Sequence, residues 1–174
     1  LAARVDLDLV KKLESDRFHL VVVGEFNHGK STFVNALLGN AALPIGVTPT
    51  TAVIHHIVWS DEPCAKVVLA SGQEQPLPFE DVKSFATGGA RSEEPVSYVE
   101  VGFPAELLRE RIVLVDTPGV NDLSLTRAEI TYGYIPRSDA VLFVLDAGQP
   151  VKESERQFLE HQLIGKSRDK IFFV

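Results

Sequence analysis

Eight residues near the start of the chain, Gly24 to Ser31 (GEFNHGKS), have the types and spacing to hold a chain of phosphates. The pattern G-x-x-x-x-G-K-S follows the apolar run FHLVVV and precedes TFVNALLG, so a strand leads in and a helix leads out. Glycines let the backbone wrap a phosphate without Cβ clashes. Successive N–H groups and the helix N-terminus then face a β-phosphate. Lys30 brings positive charge to the β- and γ-phosphates, and the Ser31 hydroxyl is placed to ligate Mg²⁺. These residues read as a nucleotide triphosphate site, with Gly24, Glu25, Asn27, His28, Gly29, Lys30, Ser31 and Thr32 around the phosphates.

A second stretch, IVLVDTPG, puts Asp116 at the end of a buried strand, about 85 residues after Ser31. A carboxylate at a strand's C-terminal tip can hold the Mg²⁺ through water beside the phosphate loop. The Gly119 N–H can bond the γ-phosphate, so the loop beyond it responds to hydrolysis. Together the two motifs resemble the GTPase branch of phosphate-loop proteins. The third piece is then a switch threonine in the loop after the first helix, which ligates Mg²⁺ through its hydroxyl. TPTT offers Thr48, Thr50 and Thr51; Thr51 is favoured because it stands directly before the next strand, with Thr50 in reserve.

The elements that must position these residues alternate between helix and strand with little filler, the pattern of an α/β fold. FHLVVVG (18–24), RIVLVD (111–116) and DAVLFVLDA (139–147) are continuous apolar runs of the kind buried on both faces. KIFFV opens a fourth core strand. KSTFVNALLGN carries a helical apolar stripe that Gly39 is placed to end. KESERQFLEHQLIG (152–165) predicts a helix, and PFEDVKSFAT, AELLRE and RAEITYGYI predict shorter ones. AVIHHIVW (52–59) and AKVVLA (65–70) flank SDEPC and predict a β-hairpin. VSYVEVGFP alternates like a further strand. His55 and His56, as strand neighbours, point to opposite faces and cannot share one metal ion. His19 and His161 have no ligand-like company, and a zinc site is not expected.

Seventeen Lys and Arg against 24 Asp and Glu give a net charge of −7, which opposes nucleic acid and polybasic membrane attachment on this segment. Cys64 is the one cysteine, so no internal disulfide forms and a reducing, cytoplasmic setting is expected. No apolar run reaches the roughly 20 residues that cross a bilayer. The chain starts at Leu1, contains no Met and stops in what reads as a strand, so it is expected to be a piece of a longer protein.

GEFNHGKSTFVNALLGNAALPIGVTPTTAV resembles the dynamin superfamily, and most of all the bacterial dynamin-like proteins and their mitofusin relatives. The resemblance continues through FPAELLRERIVLVDTPGVND and SDAVLFVLDAGQPVKESERQFLE, from about Leu13 onward. It implies a phosphate-loop GTPase fold: a mostly parallel central sheet with an antiparallel hairpin and helices on both faces, truncated at the C-terminal side. Residues 1–15 would be a leading helix from a neighbouring bundle, and 16–174 a GTPase domain without its guanine-specificity motif. GTP or GDP and Mg²⁺ are the implied ligands, with Lys30 as the phosphate-loop lysine, Ser31, Thr51 and Asp116 as the metal set, and Gly119 in the second switch. Val120 stands where Ras-like proteins place the water-orienting Gln. The family supplies the missing contacts by pairing two GTPase domains. Asn27 occupies the position at which some such GTPases hold K⁺ or Na⁺ against the phosphates, or else bonds only within its own loop. His28 is expected to face outward, towards a partner domain or solvent.

The reading is thus a GTPase whose self-association and hydrolysis drive membrane fusion, fission or stabilisation. It would work at a membrane surface from the cytoplasm, touching lipid through other segments and binding no nucleic acid. The alternatives are an Era- or TrmE-like regulatory GTPase acting on RNA or ribosomes, and a nucleotide-gated switch with little turnover.

Overall fold

The computed structural model describes residues 16–25, 27–40, 43, 53–85, 94–119, 131–149, 151–164 and 168–174. The expected leading helix, Thr48, Thr50, Thr51 and Val120 lie outside the described residues. The strands are β1 (Phe18–Val23), β2 (His55–Trp59), β3 (Cys64–Leu69), β4 (Glu74–Leu77), β5 (Val96–Phe103), β6 (Ile112–Asp116), β7 (Ala140–Phe143) and β8 (Ile171–Phe173). They form one sheet in the order β4-β3-β5-β2-β6-β1-β7-β8.

The half that carries the chemistry is parallel: β1 pairs with β6 on one side and β7 on the other, and β8 adds to β7. The central strands β1, β6 and β7 are mostly apolar because both their faces are covered, whereas Phe172 and Phe173 of the edge strand β8 are exposed. Val21, Val23, Val113, Val115, Val141 and Phe143 pack on one face against Ile135, Phe158, Leu159 and Leu163. Val22 and Leu114 pack on the other against Val34, Leu38 and Leu108. This alternation within an uninterrupted apolar run is the signature of a strand between two helical layers.

The other half is mixed. β2 runs antiparallel to β6 but parallel to β5, and β3 runs antiparallel to β5 and β4. The antiparallel hairpin exists, but it joins β3 to β4 rather than β2 to β3. β5 sits between β2 and β3 and pairs with both. Between β3 and β4 the chain turns through Gly72 at φ 86°, with the Gly72 N–H bonded to Leu69 O.

Two helices matter to the site. Helix α1 (Lys30–Leu38) buries Val34, Asn35 and Leu38, and Gly39 ends it in the left-handed region at φ 69°. The Gly39 and Asn40 N–H groups close back onto Ala36 O and Asn35 O, so the predicted stop is where the helix stops. The Asn35 amide brackets Leu43, donating to its carbonyl and accepting from its N–H, both at 2.8 Å. Helix α2 (Glu153–Phe158) is shorter than its sequence pattern predicts and passes into a wider π turn over Leu159–Ile164. Phe158, Leu159 and Leu163 seat it on the sheet.

Candidate functional site

The register of β1 on β6 sets Val22 beside Asp116, so both motifs leave the sheet at neighbouring C-terminal tips. Ser31 Oγ donates to Asp116 Oδ2 at 2.8 Å, joining residues 85 positions apart. Asp116 is 1% exposed. Thr117 Oγ1 donates to Val22 O at 2.8 Å and ties the start of the D-T-P-G turn to β1. Thr131 Oγ1 bonds Pro118 O at 3.1 Å at the turn's far side, and Gly119 is buried there.

The phosphate loop is bent by its own sequence. At Gly24 a Cβ would stand 2.6 Å from Val144 O, so only glycine lets β1 pass that close to the end of β7. Asn27 at φ 62° and Gly29 at φ 77° both occupy the left-handed region, which curls the loop before α1 begins. Lys30, only 7% exposed, folds back so that its ammonium donates to Glu25 O at 2.8 Å across the loop. Thr32 is exposed on α1, and Asn27 is exposed at the loop's outer bend. The structure therefore gathers Gly24, Glu25, Gly29, Lys30, Ser31, Asp116 and Gly119, the residues whose spacing marks them in the sequence.

His28 departs from expectation. Its side chain is only 8% exposed and turns inward rather than outward. Nδ1 faces Glu155 Oε1 at 3.1 Å, while Nε2 lies 3.0 Å from Lys152 Nζ and 3.6 Å from Glu25 Oε2. Lys152 Nζ also reaches Glu25 Oε2 at 3.5 Å, and Ser154 Oγ donates to Glu25 Oε1. The physical cause is topological. β7 is the neighbour of β1, so the segment after β7 lies beside the loop after β1, and its polar groups draw the imidazole in. Glu25, His28 and Glu155 each bring a donor atom within 4.8 Å of the others, and the Lys152 ammonium stands among them as their cation.

Sequence spacing does not single out Lys152, Ser154 and Glu155. The signal that points to them is the run KESE, which follows the strand that pairs with β1. His55 also lies close to the chemistry. Its partner in the antiparallel register is Asp116, so the two side chains share a face. It is 1% exposed, and burial pushes its pKa down to about 4, so it stands neutral beside the carboxylate at pH 7.

The profile of the Dynamin family matches residues 20–174. A bacterial dynamin-like protein of Nostoc punctiforme is 34% identical over 176 residues, covering 94% of this chain and 25% of its own. A probable transmembrane GTPase, FZO-like and chloroplastic, of Arabidopsis thaliana is 36% identical over 155 residues, covering 89% of this chain and 14% of its own. This chain thus spans a quarter or less of these relatives. Among solved structures, an oligomerised bacterial dynamin pair, described as a mechanism for long-range sensing and tethering of membranes, superposes with a TM-score of 0.68. At 21% identity it covers 95% of this chain and 26% of its own, and it attests to the fold. With the two phosphate-binding motifs joined at the tips of β1 and β6 and the profile match running almost end to end, the chain belongs to the dynamin family, as a GTPase domain.

Proposed function

We propose that this domain binds GTP with Mg²⁺, hydrolyses it when two such domains pair, and so powers membrane remodelling by the whole protein. The observation that carries the nucleotide reading is the Ser31–Asp116 contact. Two hard oxygens 2.8 Å apart match the spacing of adjacent ligands around an octahedral ion with bonds of about 2.0–2.1 Å. Mg²⁺ held there by Ser31, and by Asp116 directly or through water, would supply charge neutralisation at the β- and γ-phosphates. Thr51 is the proposed further ligand.

The chain's own residues do the rest. The backbone of Gly29 and the first turn of α1 present N–H groups to the phosphates. Lys30 exchanges its bond to Glu25 O for the stronger charge-assisted contact with the phosphate chain. The Gly119 N–H is proposed to read the γ-phosphate, and through Thr131 the turn is coupled to the segment before β7. Val120 offers no polar group to the attacking water. Asn27, exposed at the bend, is the proposed holder of a K⁺ or Na⁺ ion that completes the transition-state contacts only when a second domain covers the site.

Self-association is supported by the oligomerised pair whose fold this chain shares, and membrane action by that pair and by the relative named a transmembrane GTPase. Among the described residues no helix is long and apolar enough to cross a membrane; contact with lipid through other segments is part of the proposal. The test is GTP turnover by the intact protein at several concentrations, in K⁺, Na⁺ and buffer free of both, with Lys30→Ala as the blank. The specific rate is expected to climb with concentration and to require K⁺ or Na⁺. A flat rate indifferent to both would reduce the domain to a nucleotide-gated switch.

A further inference from the structure

The buried polar cluster beneath the phosphate loop has a direction. Glu155, 0% exposed, accepts the Lys152 N–H through Oε2 at 2.8 Å and turns Oε1 towards His28 Nδ1. An ammonium has only donors, so the Lys152–His28 contact at 3.0 Å makes Nε2 the acceptor and leaves the hydrogen on Nδ1, facing Glu155. Nδ1 and Oε1 stand 3.1 Å apart but lack the alignment of a hydrogen bond. The imidazole is thus engaged at Nε2 by Lys152 and faced at Nδ1 by the Glu155 carboxylate, both groups from the start of α2.

His28 lies between Asn27, which sits in the left-handed region that asparagine adopts at a cost, and Gly29, which opens α1. Anchoring its side chain fixes where the outer bend stands. The inner part of the loop has its own ties, Lys30 to Glu25 O and Ser31 to Asp116. We propose that Glu155 is a positioning residue for hydrolysis, acting through His28 to hold the bend that carries Asn27 while leaving nucleotide affinity to Gly29, Lys30 and Ser31. The proposal rests on the reading of Asn27 given above, and the experiment separates the two.

In the intact protein, kcat, KM, GDP affinity and thermal midpoint are measured for Glu155→Ala, Glu155→Gln, His28→Ala and Asn27→Ala. Misplacing a reacting group by an ångström costs about 100-fold, so Glu155→Ala and His28→Ala are expected to lower kcat about 10–100-fold with KM and GDP affinity within about threefold. Glu155→Gln keeps the side chain's shape but only one acceptor oxygen for the two donors that face it, Lys152 N–H and His28 Nδ1–H, and should recover part of that loss. The double variant of Glu155→Ala with Asn27→Ala should fall no further than Asn27→Ala alone. Unchanged kcat in His28→Ala, or a joint loss of kcat and GDP affinity that Gln does not rescue, would overturn the positioning role. If Asn27→Ala leaves kcat unchanged while Glu155→Ala lowers it, the reading of Asn27 fails and this proposal falls with it. If Asn27→Ala lowers kcat and Glu155→Ala does not, the positioning role alone falls. His28→Ala leaves the cap of α2 intact and keeps the test open should Glu155→Ala fail to fold.

Discussion

Gly24 is where the phosphate loop has least room. The Cβ of any other residue would meet the Val144 carbonyl at 2.6 Å, and that carbonyl belongs to backbone already fixed by the bond from Val144 N to Val23 O. A side-chain rotamer change cannot relieve a clash with backbone, so the ends of β1 and β7 must separate. Gly24→Ala is expected to destabilise the fold by about 1–3 kcal/mol, the usual cost of overpacking, and to weaken GDP binding as the loop shifts. Gly29→Ala makes a control, because a Cβ there meets nothing within 4 Å and the penalty reduces to that of its positive φ. Urea unfolding with GDP titration measures both, and a cost for Gly24→Ala no greater than that of Gly29→Ala would deny the close approach its role. The same residue-by-residue view explains why Gly29, Lys30, Ser31 and Asp116 stand out as candidates in the sequence alone: each is marked by its own type at a fixed offset. The direction of His28 is not legible there, because it is set by Lys152 and Glu155, 124 and 127 positions away, and nothing in GEFNHGKS reports what lies beneath it.

At the scale of elements, β2 carries a device that responds to acid. His55 and His56 point to opposite faces of the sheet, as neighbouring strand residues must. His56 stacks on Tyr98 at 3.9 Å, with Tyr134 and His19 edge-on at 5.3 and 6.1 Å. Burial, with smaller contributions from the charges of His19, His55 and Arg17, pushes its pKa down to about 3. The folded state therefore keeps the ring neutral while the unfolded chain protonates it near 6.5, so the unfolded state binds more protons throughout the window between. Stability must fall as pH drops through that window, by about 2 kcal/mol between pH 7 and pH 5 from this residue. His56→Phe should flatten the slope of unfolding free energy against pH over that range, and an unchanged slope would sink the assignment. Elements also mark the limit of what the sequence reveals. β1, β6 and β7 are legible because strands covered on both faces are apolar over runs that alternation would break, here Leu20–Val23, Ile112–Val115 and Ala140–Phe143. The pairing of β2 with β3 that the sequence suggests does not form, because a short polar link between two apolar runs looks the same whether or not β5, arriving about 30 residues later, inserts between them. β4 leaves no mark in the pattern since Glu74, Gln75 and Pro76 form an exposed edge strand that buries little and so needs no apolar residues.

Across the whole molecule, the sheet sets the loops of the proposed nucleotide site side by side. The phosphate loop leaves β1, the D-T-P-G turn leaves β6, and the anchoring segment 151–155 follows β7, so three adjacent strand tips converge on the proposed phosphate site. The Ser31–Asp116 bond ties the first two loops side chain to side chain, and a metal ion would replace it with a stronger bridge. A ligand that binds only the folded state adds RT ln(1 + [L]/Kd), about 2.7 kcal/mol at a hundredfold excess over Kd. For a domain of this size that corresponds to a rise in thermal midpoint of roughly 5–10 °C. Guanine nucleotide with Mg²⁺ is therefore expected to raise the midpoint by that amount in the intact protein. EDTA should remove a large part of the rise, because the phosphates then repel Asp116 instead of sharing an ion with it. Ser31→Ala should show the reduced rise even with Mg²⁺ present. A shift of equal size with and without the ion, in both proteins, would mean that the two motifs meet in the fold without meeting on a metal.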